Sequence, residues 1–452
     1  MKVTIIGAGS RQFAGTMIRD LLLSDPLADA GLEIVLMDIA AEPLAEMEAY
    51  ARSVVAELGR STTVSATTDL VDAVTAAGFV ICAIEVDRYR YWSQDFAIPR
   101  KYGFKQVYGE NGGPGGLFHA LRQFGPLLEI ARAIETHAPE AYLLNFSNPE
   151  HKVCEAITRL TRVKAVGLCH GYFMGARQVA KLLDVGVDSL ELAAAGVNHF
   201  TWFQAVRDRA TGEDLYPLLR ERESNANWVS DWHDIGLSRL LFRRFGLWPS
   251  PGANHNGEYI SWADDYVPTQ LQFFHDPADV SPWSEETVTP EWYYHIGTVD
   301  TDRPFHGRST SESSMSLEEW LARQELVASE ELAIPIIEWV ACGIEHALPA
   351  VNLPNRGAIP GLPDDMVVEV PATVENGEIV PLRMDPFPEA ILSMLQRQGS
   401  IQKLLVEAYV EQSRNTLLQT ILLDPIVDSH DRAVAMLDEF LVRQRDILPP
   451  LH

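Results

Sequence analysis

The sequence predicts an α/β fold whose N-terminal part is a Rossmann-like, doubly wound parallel sheet, followed by a packed second domain. Two observations predict it. Short β-branched apolar runs alternate with helical patterns through the first 150 residues, with a further run at 164–168. The first of those runs also ends in a glycine-rich turn that leads into a helix. The expected strands are KVTII (2–6), EIVLMD (33–38), GFVICAI (78–84), AYLLNF (141–146) and KAVGL (164–168). Unbroken apolar runs of this kind suit a parallel sheet covered on both faces. TMIRDLLLS and PLAEMEAYARSVVAELG supply intervening helices. From about residue 195 the character changes, so the division is drawn as 1–195 and 196–452. The second part carries a long helical pattern over 316–348, a hairpin turning at Asn376-Gly377 and a closing helix in DRAVAMLDEFLVRQRDIL.

The opening VTIIGAGSRQF reads as strand, turn and helix. Gly7 permits the tight turn, and Gly9 and Ser10 would face a pyrophosphate at the helix N-terminus. The third glycine of the usual fingerprint is replaced by Gln12. Asp38, closing the second strand, would accept hydrogen bonds from ribose hydroxyls, and its charge disfavours a 2′-phosphate. NAD is therefore expected over NADP.

With 63 acidic against 36 basic residues and a net charge of -27, the surface opposes nucleic acid and anionic membranes. No apolar run reaches the ~20 residues of a membrane span, and the first one breaks at Gly7, too early for a signal sequence. Four unpatterned cysteines give no disulfide framework, which fits a reducing cytoplasm.

Several polar clusters stand at expected strand ends. GLCHGY puts Cys169 and His170 at the carboxyl edge of the 164–168 strand, where open α/β sheets bind ligands. Cys169 alone reads first as a buried structural thiol. NFSNPE offers Asn145 and Asn148 to nicotinamide or sugar hydroxyls, or is a plain turn. GVNHFTW places His199 after an apolar run. One Cys and one His do not close a structural zinc site, but suit a catalytic metal completed by substrate and water. GENGGPGG opens a helix without a Walker lysine. PGANHNGEY gathers His255, Glu258 and Tyr259, and NLPNRG adds Asn352, Asn355 and Arg356.

In this order and spacing GAGS, LMD, GPGG, NFSNP, GLCHG, GVNHF, HNGEY, NLPNRG and LLDP resemble glycoside hydrolase family 4, the NAD- and metal-dependent glycosidases. The resemblance runs nearly end to end. It implies a lactate/malate dehydrogenase-like fold with a mixed α/β C-terminal domain, and a homodimer or homotetramer. It also implies a divalent ion, usually manganese, on Cys169 and His199. A thiolate and an imidazole are unusual for manganese, which prefers oxygen, so sugar hydroxyls and water would fill the other positions.

The implied reaction is transient oxidation at C3 of the sugar by NAD, loss of the C2 proton to a base, elimination of the C1 substituent, and then addition of water. The metal would act as a Lewis acid on the sugar oxygens. His170 occupies the place of an acid catalyst that is Asp in other members, and an imidazole can fill that role. For the base, Tyr259 comes first, with His255 and Glu258 behind it. Asn148 and Asn198 are assigned to substrate, and Gly7, Gly9, Ser10, Asp38 and Asn145 to the cofactor. The CHGY motif resembles members acting on unphosphorylated α-glycosides, with an α-galactoside or α-uronide favoured. A uronide would want an arginine, and Arg88, Arg90, Arg100 and Arg308 are candidates. The alternative from the residues alone is an NAD-dependent dehydrogenase of a hydroxy acid or sugar, needing no metal; a nucleotide-binding sensor is a third reading.

Overall fold

The five expected apolar runs fold as strands β1 (Lys2–Ile6), β2 (Glu33–Met37), β4 (Phe79–Cys82), β5 (Tyr142–Asn145) and β6 (Lys164–Gly167). A sixth strand that the pattern did not predict, the more polar β3 (Thr63–Thr67), pairs at the edge, giving the parallel order 3-2-1-4-5-6. Alternate residues serve opposite faces. Val3, Ile5, Ile34 and Leu36 pack under the helices Phe13–Leu23 and Ala41–Glu57. Ile6, Val35 and Met37 pack under Gly113–His137, Glu389–Glu411 and His430–Arg443. Both faces are dry, which explains why the strands read as unbroken apolar runs rather than alternating ones. The computed structural model describes residues 1–225, 232–263, 316–321 and 323–452. No described helix is long and apolar enough to cross a membrane.

The sheet continues past β6. The remaining strands are β7 (Leu190–Val197), β8 (Phe200–Asp208), β9 (Trp248–Ser250), β10 (Leu348–Pro354), β11 (Val367–Glu375) and β12 (Glu378–Pro381). β10 joins β6, and the order runs on as β11, β7, β8 and β9, with β12 paired to β11, making one twelve-stranded sheet. A division at residue 195 falls inside β7. That strand pairs with β8 over its whole length. The Asn376-Gly377 hairpin forms as expected, with φ of 52° and 79° at its two turn residues.

The helix expected over 316–348 does not form. Its pattern is divided among a turn of helix at Leu317–Leu321, another at Ala333–Ile337, and a wide turn at Glu338–Cys342. Pro335 cannot donate to the carbonyl four residues before it, and its ring excludes that carbonyl. The Ser329 amide and hydroxyl bind Asp20 instead, strapping the segment across helix Phe13–Leu23. Trp320 anchors the strap. It is 1% exposed, meets Tyr50 edge-on at 4.9 Å, and fills the space that a side chain at Gly15 would take. Trp320→Ala should therefore destabilise the protein by about 3–5 kcal/mol, measured by denaturant unfolding, as deletion of a buried aromatic does.

Candidate active site

Gly7 begins the site. Its φ is +84°, and a Cβ there would lie 2.0 Å from the Ala83 carbonyl oxygen, so no other residue fits the β1 turn against β4. Gly9 donates its amide to Asp38 Oδ2 at 2.8 Å, and Ala40 donates to Oδ1 at 2.9 Å. The expected approach of the Gly9 amide to a pyrophosphate is thus replaced by a bond that fixes the Asp38 carboxylate at the mouth of the turn. Ser10 is exposed there, its hydroxyl accepting from the Phe13 amide at 3.2 Å. A tight turn, a helix start and a fixed acid at the end of β2 fit a dinucleotide without a 2′-phosphate.

At the carboxyl ends of β1, β5 and β6 a cavity of about 310 Å³ opens between the two halves of the sheet. Phe13, Phe146, Asn148, Leu168, Met174, Pro251 and Glu331 are among its lining residues. Cys169, His170, His199, His255, Glu110, Arg88 and Tyr108 line it too. Cys169 follows β6 by two residues. His199 lies at the tip of the two-residue β7–β8 hairpin, in a left-handed conformation with φ of 66°. Their Sγ and Nε2 are 3.4 Å apart. The His199 and His255 rings stand 4.0 Å centre to centre, and Tyr108 meets His255 edge-on at 5.0 Å.

The donor set suits a divalent cation. Ligand atoms of Glu110, His199 and His255 all lie within 4.8 Å of one another, beside the Cys169 sulfur. Nδ1 of His199 and Nδ1 of His255 are buried without a hydrogen-bond partner, a costly state that a ligand would relieve. Burial, and then the neighbouring His255, hold the His199 imidazole well below its ordinary value, so it is neutral and able to coordinate. Burial and Glu369 push the Cys169 thiol up, while the Asn198 side chain and the Gly171 amide favour its thiolate. Glu110 adds the oxygen donor that a manganese site wants.

The other expected site residues divide cleanly. Asn148 lines the cavity. Asn145 does not reach it: its side chain closes a turn onto Ser147, accepting from the amide at 3.2 Å and donating to the carbonyl at 3.1 Å. Asn198 is also buried, donating to Glu369 Oε2 at 2.6 Å. His170 is two-thirds exposed at the rim with Glu331 3.7 Å away, and that carboxylate holds its imidazole above the ordinary value. Tyr259 is 3% exposed, stacks on Phe200 and donates to the Asn198 carbonyl at 3.3 Å. Burial and Glu258 push its hydroxyl well up, so it holds its proton. Glu258 Oε1 accepts from the amides of Glu110, Asn111 and Gly112 at 2.8, 2.8 and 3.0 Å. Of the three base candidates, only His255 faces the cavity.

Arg88 donates to Glu110 at 2.5 Å and to Glu85 at 3.4 Å, and lies over the Trp92 ring. Arg90 stays at the surface near Asp87, and Arg100 binds the Gln106 carbonyl. Arg308 lies outside the described residues. Glu110, Glu331 and Tyr108 were not assigned to the site from sequence. Glu110 carried a faint signal, a carboxylate before a glycine-rich helix start; the other two carried none.

Comparison with known proteins places this arrangement. The description "Family 4 glycosyl hydrolase" matches residues 2–185, and that of the family's C-terminal domain matches 194–427. An alpha-glucosidase of Erwinia rhapontici is 30% identical, with 98% of each chain covered. An alpha-galactosidase of Bacillus subtilis is 28% identical over 99% of each. An alpha-galacturonidase of Thermoanaerobacter italicus is 25% identical over 94% of this chain and 92% of its own. Among solved structures, a 6-phospho-alpha-glucosidase from gut microorganisms, in complex with NAD and Mn2+, superposes with a TM-score of 0.78 at 23% identity, covering 100% of this chain and 99% of that one. Malate dehydrogenase from Plasmodium falciparum reaches 0.50 at 11% identity over 91% and 99%, which accounts for the dehydrogenase-like half of the sheet. With both family descriptions matched along nearly the whole chain, the protein belongs to the family 4 glycosyl hydrolases and is a glycoside hydrolase.

Proposed function

We propose that the protein hydrolyses unphosphorylated α-glycosides of neutral hexoses, an α-galactoside first among them, with NAD and a divalent cation, Mn2+, as cofactors. The observation that carries the reading is the convergence of Cys169, His199, Glu110 and His255 on one cavity at the carboxyl edge of a dinucleotide-type sheet. The Gly7 turn and Asp38 would hold NAD; Cys169, His199 and Glu110 would hold the cation. Together these groups supply reversible hydride acceptance and Lewis acidity toward the sugar oxygens.

The chain's own residues do the rest. His255 lines the cavity, its Nδ1 3.8 Å from a Glu258 oxygen and its ring braced by Tyr108, so it is the group that takes the proton from C2. His170, exposed at the rim with its imidazole held above the ordinary value by Glu331, gives a proton to the departing glycosidic oxygen. Asn148 offers an amide to the sugar hydroxyls. The apolar wall of Phe13, Phe146 and Leu168 keeps water from the region where hydride would pass.

The neutral-sugar preference rests on charge. Arg88 is the one Arg or Lys among the described lining residues, and two carboxylates already neutralise it. A substrate phosphate or carboxylate would have to displace Glu110 from it and would meet Glu331 nearby, at a desolvation cost that no further Arg or Lys among the described lining residues offsets. The curated relatives include both neutral-sugar and uronide enzymes, and this charge balance is what supports the neutral-sugar reading.

A panel of nitrophenyl α-glycosides, incubated with NAD, Mn2+ and a reductant, tests the assignment. α-Galactoside or α-glucoside should be cleaved, and the α-galacturonide and 6-phosphoglycosides turned over at least about tenfold more slowly, a difference of ~1.4 kcal/mol. If no member is cleaved, the substrate class is wrong. Chelation, or Cys169→Ala, should lower turnover by more than about a hundredfold, beyond the effect of losing an outer-sphere partner. Undiminished cleavage by Cys169→Ala rules out its metal role. His255→Ala should lose about 10²–10⁴-fold in kcat and stop solvent deuterium from entering C2 of the product, while Tyr259→Phe keeps that exchange measurable.

A further inference from the structure

The short segment Ala253–Tyr259 touches the loops that bring the cavity's donors together. His255 contributes its own ring. Glu258, three residues on, is 1% exposed, and one of its oxygens takes all three consecutive amides of Glu110, Asn111 and Gly112. The contact is close: a Cβ at Gly112 would lie 2.6 Å from Glu258 Cβ. From the other side the buried Lys152 ammonium donates to the Asn111 carbonyl at 2.5 Å, so the loop is held at both its donors and its acceptor. Tyr259 donates to the carbonyl of Asn198, the residue before His199. His199 is a non-glycine residue at positive φ on a two-residue turn, a conformation that persists only where its surroundings enforce it. The Tyr259 hydroxyl, together with the Asn198–Glu369 bond, supplies that enforcement.

We propose that Glu258 and Tyr259 are positioning residues that set Glu110 and His199 at cation-binding separation, so that one bracket registers donors arriving from two distant parts of the chain. Neither side chain is among those lining the cavity. Glu258 acts through the 110–112 backbone and Tyr259 through the 198–199 turn. The inference rests on the reading that this cavity takes a divalent cation.

The test is a titration of the full-length protein with Mn2+ alone, following free Mn2+ by electron paramagnetic resonance, with NAD affinity measured in parallel. Glu258→Ala and Tyr259→Phe should each raise the Mn2+ dissociation constant about tenfold or more, as loss of a group orienting metal ligands does. NAD affinity should be unchanged. Glu258→Gln, which keeps an acceptor oxygen for the three amides, should recover much of the loss. His199→Ala separates the two levels of argument: if it binds Mn2+ as the wild type does, the cation reading itself fails. If His199→Ala loses Mn2+ while Tyr259→Phe and Glu258→Ala keep wild-type affinity, the bracket is overturned. Tyr259→Phe removes a single oxygen from a packed ring, so it stays informative even if Glu258→Ala does not fold. A Tyr259→Phe enzyme with normal Mn2+ affinity but no deuterium exchange at C2 would make Tyr259 the base and would equally overturn the proposal.

Discussion

The site depends on a row of backbone pairing that crosses the middle of the sheet, through Gly167 on β6, Asn352 on β10, Glu369 on β11 and Gly196 on β7. The joints β6–β10 and β11–β7 are each a single residue pair, and each has a glycine on one side. At Gly167 a Cβ would overlap the Glu150 carboxylate, so only glycine lets that acid lie behind the strand that delivers Cys169. Asn352 and Glu369 fill the row between the glycines. Glu369 accepts from both Asn198 and Asn352, tying the His199 hairpin to the strand beside β6. Without this row Cys169 and His199 would belong to unconnected halves of the chain.

The row also sets the electrostatics. Burial raises the Glu369 carboxyl, opposed by the amides of Asn198 and Asn352, and burial raises Glu150 further. Two buried acids behind a thiol and two imidazoles are thereby biased toward their neutral forms, a bias that a cation placed nearby would reverse. A hydrogen-bonded acid is also costly to lose, because each amide it satisfies would become an unpaired buried donor. The same group therefore serves the packing of the sheet and the charge of the cavity. Polar residues such as Asn352 and Asn355 are buried for that reason: Asn355 bonds the backbone at Ile359 and Leu362 and so closes the turn between β10 and β11.

Around this centre the two halves are not independent bodies. The strap of residues 323–332 crosses from the second half onto helix Phe13–Leu23, carries Glu331 to the cavity rim and is held by Trp320 and Ser329. The helices Glu389–Glu411 and His430–Arg443 return to cover the first half, where Phe440 stacks on Phe118 at 3.7 Å. The nucleotide-type sheet is thus closed on one face by helices from the far end of the chain.

Much was legible in the sequence because it is local. Apolar period and length gave five of the six parallel strands, and missed β3, whose TVSAT is polar and half-exposed; Gly7 and Asp38 marked the first turn and the second strand's end; Asn376-Gly377 marked its hairpin. The ordered motifs were specific enough to give the family. What sequence spacing could not provide was direction. Tyr259, Glu258 and His255 lie within five residues, yet one turns into the core, one onto a backbone loop and one into the cavity. Asn145 and Asn198, polar and beside the right strands, spend their amides elsewhere, the first on its own turn and the second on the Glu369 carboxylate. Glu110 and Glu331 reach the site from 59 residues before Cys169 and 162 after it, counted along the chain. The helical period over 316–348 was real as a pattern, but Pro335 and the Asp20–Ser329 bond overrode it. Local propensity fixes which elements form; which way a side chain at an element's end points is decided by the partner that satisfies its polar atoms, and those partners come from elsewhere in the chain.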